Sequence, residues 1–377
     1  MNPKIEFTPE SDDVLKFTLN GVNVCYANAI RRTILSDIPV VVFKTTPYAE
    51  NKANITVNTT RLNNEIIKQR LSSIPICITD LDMPFNNYQL EVNEDNKTDT
   101  IMVVTTQHFK IRNLTNDTLL DDADVRKIFP PYVPSTGKGE YFIEFVRLRP
   151  KISDEIIGEK IAFTSTFSTS TAREDAMFNV TGTCGYGFTP DINKMNEEVA
   201  KRIQKWTDEG KNKDEVAFEA KNWKLLEGLR YVIKDSFDFT LQSVGIYDNR
   251  SIVVKACNIL IIRLDNLIRL TNEDAVKIEP SQSTMENCYD VTLENEDYTI
   301  GNMLSHQIYE IFYRDMEKVS YVGFKKFHPH DVNSVLRFAF KDIVEKKSAK
   351  TLFKLSLEGS KEVIEKIRGL FDGKRKK

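Results

Sequence analysis

The chain has 377 residues, 41% of them hydrophobic and 28% charged, with 52 lysines and arginines against 55 aspartates and glutamates. That is ordinary globular composition, long enough for two or three cored domains, and the lack of a basic excess excludes a chain that wraps a phosphate backbone unaided. Five cysteines (Cys25, Cys77, Cys184, Cys257 and Cys288) are odd in number, widely spaced and include no C-x-x-C pair, which excludes a disulfide framework and fits a reducing compartment.

The N-terminal "MNPKIEFTPESDD" has no apolar run of the kind a signal peptide needs, and no segment reaches the ~18 uninterrupted apolar residues of a membrane span. An intracellular chain is expected. "KIEFTPESDDVLKFTLNG" reads as two strands around a polar turn. "CYANAIRRTILSDIP" then shows an apolar helical face of Ala27, Ile30, Ile34 and Ile38, with Arg31 and Arg32 side by side and Pro39 as a stop. "VVVFKTT" is β-branched and strand-like, and Leu62, Ile66, Ile67, Leu71 and Ile74 form a further helical stripe ended by Pro75. From about 76 to 190, short strand candidates alternate with polar loops. Residues 190–225 are helical and heavily charged, as surface helices are. "FDFTLQSVG" is an alternating strand, and "SIVVKACNILIIRLDNLIRL" a long helix with a wide apolar face through Ile252, Ala256, Ile259, Leu260, Leu264 and Leu267.

After Leu270 the pattern starts again. "FTLNGVNVCYANAI" and "VTLENEDYTIGNML" match in kind at a constant offset: Thr18-Leu19 with Thr292-Leu293, Asn28 with Asn302, Ile30 and Ile34 with Leu304 and Ile308. A small residue, Ala27 or Gly301, precedes each asparagine. "FKTTP" from Phe43 and "FKKFHP" from Phe324 read as equivalent strands, and helices at 250–270 and 358–371 would complete two units. A strand-plus-helix unit leaves one apolar face uncovered, so two in one chain cover each other. The expectation is an α+β fold containing an intramolecular pseudo-dimer, with Ala27, Ile30, Ile34 and Ile38 facing Leu304, Ile308, Ile311 and Phe312.

Other motifs yield weaker chemistry. Asp80 and Asp82 form a D-x-D, which falls short of the ligand set of a two-metal site. His328 and His330 lack a visible third ligand, and the proline between them suits a strand end. "GTCGYGF" has neither phosphate-loop order, and its glycines suit close approach of another backbone at a subunit interface. Cys184 has no histidine in reach of the sequence argument. Asn28 and Asn302 are expected to satisfy backbone groups at their helix entries. The tail "GKRKK" is short enough to be merely solvated.

"NAIRRTILSDIP" resembles the signature helix of the alpha subunit of bacterial RNA polymerase and of its eukaryotic and archaeal counterpart, the third-largest subunit. "LNNEIIKQRLSSIPI", "FTSTFSTSTAREDAMFNVTG" and "FDFTLQSVGIYDNRSIVVKACNIL" are similar to the entry, an inserted-domain loop and the exit of that subunit's second domain. "VTLENEDYTIGNMLSHQIYE" and "VSYVGFKKFHPHDVNSVLRF" resemble the small eleventh subunit, the third's partner. The resemblance implies a fusion of the two alpha-like subunits, as some large cytoplasmic DNA viruses carry, working in host cytoplasm and virion. It implies a first dimerisation domain from 1–48 and 226–272, an inserted mainly β domain at 49–225, and a second dimerisation domain at 273–377.

In such a family the pair is a non-catalytic assembly platform that docks the second-largest and then the largest subunit, with small polymerase subunits joining. The resemblance makes Arg31, Arg32 and Leu35 the contacts to the second-largest subunit; guanidinium forks suit carboxylates and backbone carbonyls across an interface. It implies no catalytic residue, no strong nucleic-acid contact, no membrane and no homo-oligomer. "ICITDLDMPFNNYQ" holds only Cys77 where relatives carry a zinc cluster, so no metal or other cofactor is expected. The alternative is a free-standing metal-dependent enzyme of nucleotide or polymer metabolism, built on Asp80, Asp82, His328 and His330.

Overall fold

The computed structural model describes residues 1–372 apart from 10–12, 135, 136, 138, 154 and 156, so the basic tail at 373–377 lies outside the described residues. In chain order, β1 (Lys4–Phe7) and β2 (Val14–Asn20) lead into α1 (Val24–Ser36). There follow β3 (Val40–Val42), β4 (Ala53–Asn58), α2 (Asn64–Ser72), β5 (Tyr88–Asp95), β6 (Met102–Thr105), β7 (Lys110–Asn113), β8 (Thr118–Leu119), α3 (Asp122–Ile128), β9 (Glu144–Leu148), β10 (Lys160–Thr166) and β11 (Ser168–Ser170). Next come β12 (Thr181–Pro190), α4 (Ile192–Asp208), α5 (Lys213–Leu225), β13 (Val232–Ser243) and α6 (Asn249–Asn272). The last stretch holds β14 (Ile278–Pro280), β15 (Cys288–Leu293), α7 (Tyr298–Ile308), β16 (Val319–Lys325), β17 (Ser334–Phe340) and α8 (Lys346–Asp372).

Two compact units result: residues 1–34, 183–242 and 249–377 in one, residues 35–182 and 243–248 in the other. The mixed α+β character read from the sequence stands. The unit boundaries differ from the expected 48/49 and 225/226. β12 is hydrogen-bonded to β13 in the sheet β1-β2-β13-β12, which carries 183–225 into the first unit. β3 pairs with β11 through Val42–Ser168 and Val40–Ser170, which carries 35–48 into the second. Residues 273–372 form no separate body; they fold into the first unit.

The first unit contains one topology twice. Its sheets run β1-β2-β13-β12 and β14-β15-β17-β16. In each, a hairpin feeds a short helix (α1, α7), then an edge strand (β12, β16), an inner strand (β13, β17) and a long helix (α6, α8). The structural counterpart of β16, with Phe324, is therefore β12 and not the Phe43 strand, which belongs to the other unit. Alternation explains the strands: Leu15, Phe17 and Leu19 of β2 are buried, and they oppose Leu241, Phe239 and Phe237. Phe17 stacks on Phe239 at 4.9 Å between ring centres. In the second sheet Val291 opposes Leu336 and Tyr289 opposes Phe338.

α6 and α8 pack along each other. Ala256, Leu260 and Leu264 of α6, and Phe353, Leu357, Ile364 and Ile367 of α8, are fully buried. Burial of this kind contributes about 1.5–3 kcal/mol per large side chain. α8 starts twelve residues before its expected 358, because Ala349, Leu352, Phe353 and Leu357 already hold helical spacing beneath a lysine-rich surface. Phe371 at its end meets Phe7 and Phe17 edge-on, at 5.6 and 5.1 Å.

The second unit is mainly β, with a five-stranded sheet β4-β10-β5-β7-β8 and the pairs β3-β11 and β6-β9. Its core gathers Phe43, Phe109, Phe129, Phe145, Phe163 and Phe167 with Ile67 and Leu71 of α2. Ile66 of the expected α2 stripe is 40% exposed, because Ile67 and Leu71 take the core face and a residue next to Ile67 lies about 100° away around the axis.

Candidate pairing interface

The two short helices of the first unit start on side-chain caps. Asn23 Oδ1 accepts from the Cys25 amide at 3.1 Å, and Asp297 Oδ1 accepts from the Thr299 amide at 2.8 Å. These are positions where a polar side chain satisfies an orphan N–H. Asn28 and Asn302, expected in that role, lie one turn further in. Asn28 instead accepts from Arg31, Nε at 3.1 Å and Nη2 at 2.9 Å, and Asn302 is exposed.

Arg32 reaches the start of α7. Its Nη2 is 2.9 Å from Asp297 Oδ2, and its Nε donates to Thr299 Oγ1 at 3.0 Å. Beside it, Arg263 of α6 pairs with Glu296; Nε donates to Oε1 at 3.3 Å and Nη2 pairs with Oε2. The Arg263 and Glu296 side chains are 18% and 10% exposed. Burial works to raise the Asp297 pKa, but the Thr299 hydroxyl and amide, Arg32 and Arg263 outweigh it and hold the carboxyl below its usual range. The adjacent Glu296-Asp297 pair of the second half is thus gripped by two arginines of the first. Arg32, expected to face a partner subunit, has this internal carboxylate as a partner.

Between the helices, the buried Tyr26 hydroxyl donates to Gln307 Oε1 at 3.0 Å. Lys361 of α8 pairs with Asp265 of α6 at 2.7 Å, and Arg368 donates to Asn258 Oδ1 at 2.9 Å. Of the expected interface residues, Ala27, Ile30, Ile34, Leu304, Ile308 and Phe312 are buried in this unit. Ile311 is only partly buried: the chain goes into a π-helical turn at Tyr309–Asp315, which shifts the register after Ile308. Ile38 is buried but belongs to the second unit, as does the part-buried Leu35 at the end of α1.

The constant offset that aligns Asn28 with Asn302 also aligns Asn23 with Asp297 and Arg32 with His306. His306 lines a cleft of about 400 Å³ with Asn23, Cys25, Asn28 and Asn302. Its ring meets Tyr26 edge-on at 6.4 Å. So the position equivalent to Arg32 holds an imidazole that lines a cleft with the Asn23 cap, and the carboxylates that act on it are Glu310 and Asp235. The sequence carried a signal for Asp297, an acid directly ahead of an apolar-periodic run. Tyr26, Thr299 and Gln307 carried none, because their partners lie hundreds of residues away, and Arg263 and Glu296 carried none because they sit 33 residues apart on different elements.

The alternative chemistry is not assembled. Asp80 Oδ1 accepts from the Asp82 amide, a turn contact. The His330 amide donates to His328 Nδ1 at 3.2 Å, also a turn. Among the described residues no group of three or more His, Cys, Asp or Glu is placed to hold a metal ion. Burial pushes the Cys25, Cys184 and Cys257 thiols up to about 12, far from a nucleophilic thiolate. Gly185 and Gly187 of "GTCGYGF" face open space. No described helix is long and apolar enough to cross a membrane.

The chain is similar to the DNA-directed RNA polymerase subunit Rpo3 of Pyrococcus horikoshii, 24% identical over 287 residues, covering 70% of this chain and 96% of that one. It is similar to Rpo3 of Methanosphaera stadtmanae, 24% identical over 302 residues, covering 72% and 99%. A shorter stretch of 128 residues is 30% identical to Rpo3 of Pyrococcus furiosus, covering 34% and 44%. A family model described as the RNA polymerase Rpb3/Rpb11 dimerisation domain matches residues 16–264. With that match over more than half its length, the chain belongs to the Rpb3/Rpb11 dimerisation-domain family.

Proposed function

We propose that the chain is a non-catalytic assembly subunit of a multisubunit DNA-directed RNA polymerase, carrying a third-subunit-type unit and an eleventh-subunit-type unit on one polypeptide. The observation that carries this reading is the repeated topology. Two four-stranded sheets of the same strand order, each feeding a long helix, share one compact unit. The family match and the Rpo3 relatives support the first half of the reading. The repeat in 278–372 supports the second. The large subunits supply the catalytic metal site in this reading, and this chain needs no zinc or other cofactor and no nucleic-acid contact of its own. It works inside the cell, and for a large DNA virus in host cytoplasm and virion.

Docking of the second-largest subunit is assigned to α1, through Arg31, Arg32 and, on its last turn, Leu35; the largest subunit and small polymerase subunits join afterwards. Arg31 is the cleaner probe, since its bonds stay within its own helix while Arg32 holds Asp297. Tagged chain purified from its native source should bring down two very large polypeptides. R31A should lower their yield while leaving the chain's Tm unchanged. Recovery of neither large chain sinks the assembly reading; unchanged yield from R31A sinks only the docking assignment. The isolated chain should show no metal-dependent turnover of nucleotides or polymers, which is what the enzyme alternative requires.

A further inference from the structure

We infer that the two halves of the first unit recognise each other by an asymmetric charge code: Arg32 and Arg263 on the first half, Glu296 and Asp297 on the second, so that each half selects the other over a second copy of itself. The inference stands on packing inside this unit and holds whether or not the chain sits in a polymerase.

A pair of similar folds is open to three combinations, two homotypic and one heterotypic. Apolar faces alone discriminate poorly among them, because Ile30 and Ile34 present the same chemistry as Leu304 and Ile308. In a two-fold interface each contact is made twice, with equivalent residues exchanged. Here the arginine–carboxylate contact is made once. At the positions of Glu296 and Asp297 the first half has Val22 and Asn23, and at the position of Arg32 the second half has His306. Two first halves together would set each Arg32 against an asparagine and each Arg263 against a buried valine, leaving four guanidinium groups without those carboxylates. Two second halves would set Asp297 against the imidazole of His306 in place of a guanidinium group. Uncompensated charge at a partly buried site is what penalises a wrong partner. The tether adds an effective concentration of ~mM, which favours closure in cis but does not choose orientation.

Full-length chains test the code. The Arg263–Glu296 pair is reversed one side at a time, which leaves the Asp297 cap untouched. R263E gives a chain acidic on both sides and E296R a chain basic on both. Each alone should lose Tm and populate concentration-dependent oligomers. The reversed double variant R263E/E296R should regain at least half of the lost Tm and return to monomer by light scattering. Mixed in equal amounts, the two single variants should form a 1:1 complex, each first half taking the other chain's second half. A neutral cycle of R32Q and D297N, in which asparagine keeps the cap, should show coupling between the two positions. Should a single variant fail to fold, the double variant and the neutral cycle still decide. Strict additivity in both cycles overturns the code, as does folded R263E and E296R that stay monomeric at wild-type Tm.

Discussion

Tyr26 and Gln307 make a contact whose two ends cost different amounts to remove. Both residues are buried, and the phenol donates to the amide oxygen at 3.0 Å. Y26F keeps the ring but strands the Gln307 oxygen away from water, a loss of about 1–3 kcal/mol. Y26F should therefore lower the unfolding free energy by that amount in urea, while Y26F/Q307L should recover part of it; equal stability of Y26F and wild type would show the oxygen finds another donor. His306 gives a pH test. Burial lowers its pKa, with Arg314 acting the same way and Glu310 and Asp235 opposing. The folded state then holds fewer protons than the unfolded one just below the ordinary value of about 6.5. The contribution of His306 to stability is complete above that pH and is lost as pH falls below it. Wild-type Tm should drop more steeply than that of H306Q between pH 7 and 5, and parallel curves would contradict the assignment. At this scale the sequence was legible where chemistry is local. The apolar stripe of α1 was readable and is buried. The caps were misplaced by one turn, to Asn28 and Asn302, because a repeated asparagine looked like a cap while Asn23 and Asp297 differ in type.

α7 owes its position to a glycine. A Cβ on Gly301 would lie 2.1–2.4 Å from three ring atoms of Phe324 in β16. That ring is held edge-on by Tyr298 at 5.2 Å. Helix propensity favours alanine over glycine by about 1 kcal/mol. Overpacking typically costs about 1–3 kcal/mol, and the ring must swing out, so the steric term wins. G301A should lower Tm, and G301A/F324A should lose less than the sum of the two single changes; a G301A chain as stable as wild type would mean the ring yields freely. The sequence showed a small residue at 27 and 301 without showing why. The reason lies across a turn of chain, on a strand that the Phe-Lys-Pro similarity had matched to the wrong partner. Phe43 and Phe324 share a Phe-Lys dipeptide followed by a proline, but hydrogen-bonding neighbours decide sheet membership, and β3 pairs with β11 in the other unit. Short motifs are a weak guide to equivalence when a domain of ~150 residues stands inserted between a helix and its next strand.

The first unit joins distant stretches of the chain: residues 1–34 and 249–372 belong to it, and α8 lies on α6 with its Phe371 against Phe7 and Phe17. That arrangement explains why the repeat was legible and the domain map was not. Periodicity recorded two helices with one apolar face each, which implies mutual cover, but it could not record that 183–225 follows β12 back into the first sheet. A stability consequence follows. Without residues 273–377, α6 would expose Ala256, Leu260 and Leu264, and β2 would lose the Phe371 cover of Phe17. Contiguous apolar surface of that extent drives association. A chain truncated after Asn272 should be recovered mainly as aggregate, or as oligomers that grow with concentration. The intact chain should stay monomeric over a hundredfold concentration range, because its partner face is supplied in cis at ~mM effective concentration. Light scattering on both proteins reads the difference. A truncated chain that is monomeric and melts cooperatively at the intact chain's Tm would mean that α8 is an accessory to the core, and the two-half architecture would then have no energetic weight.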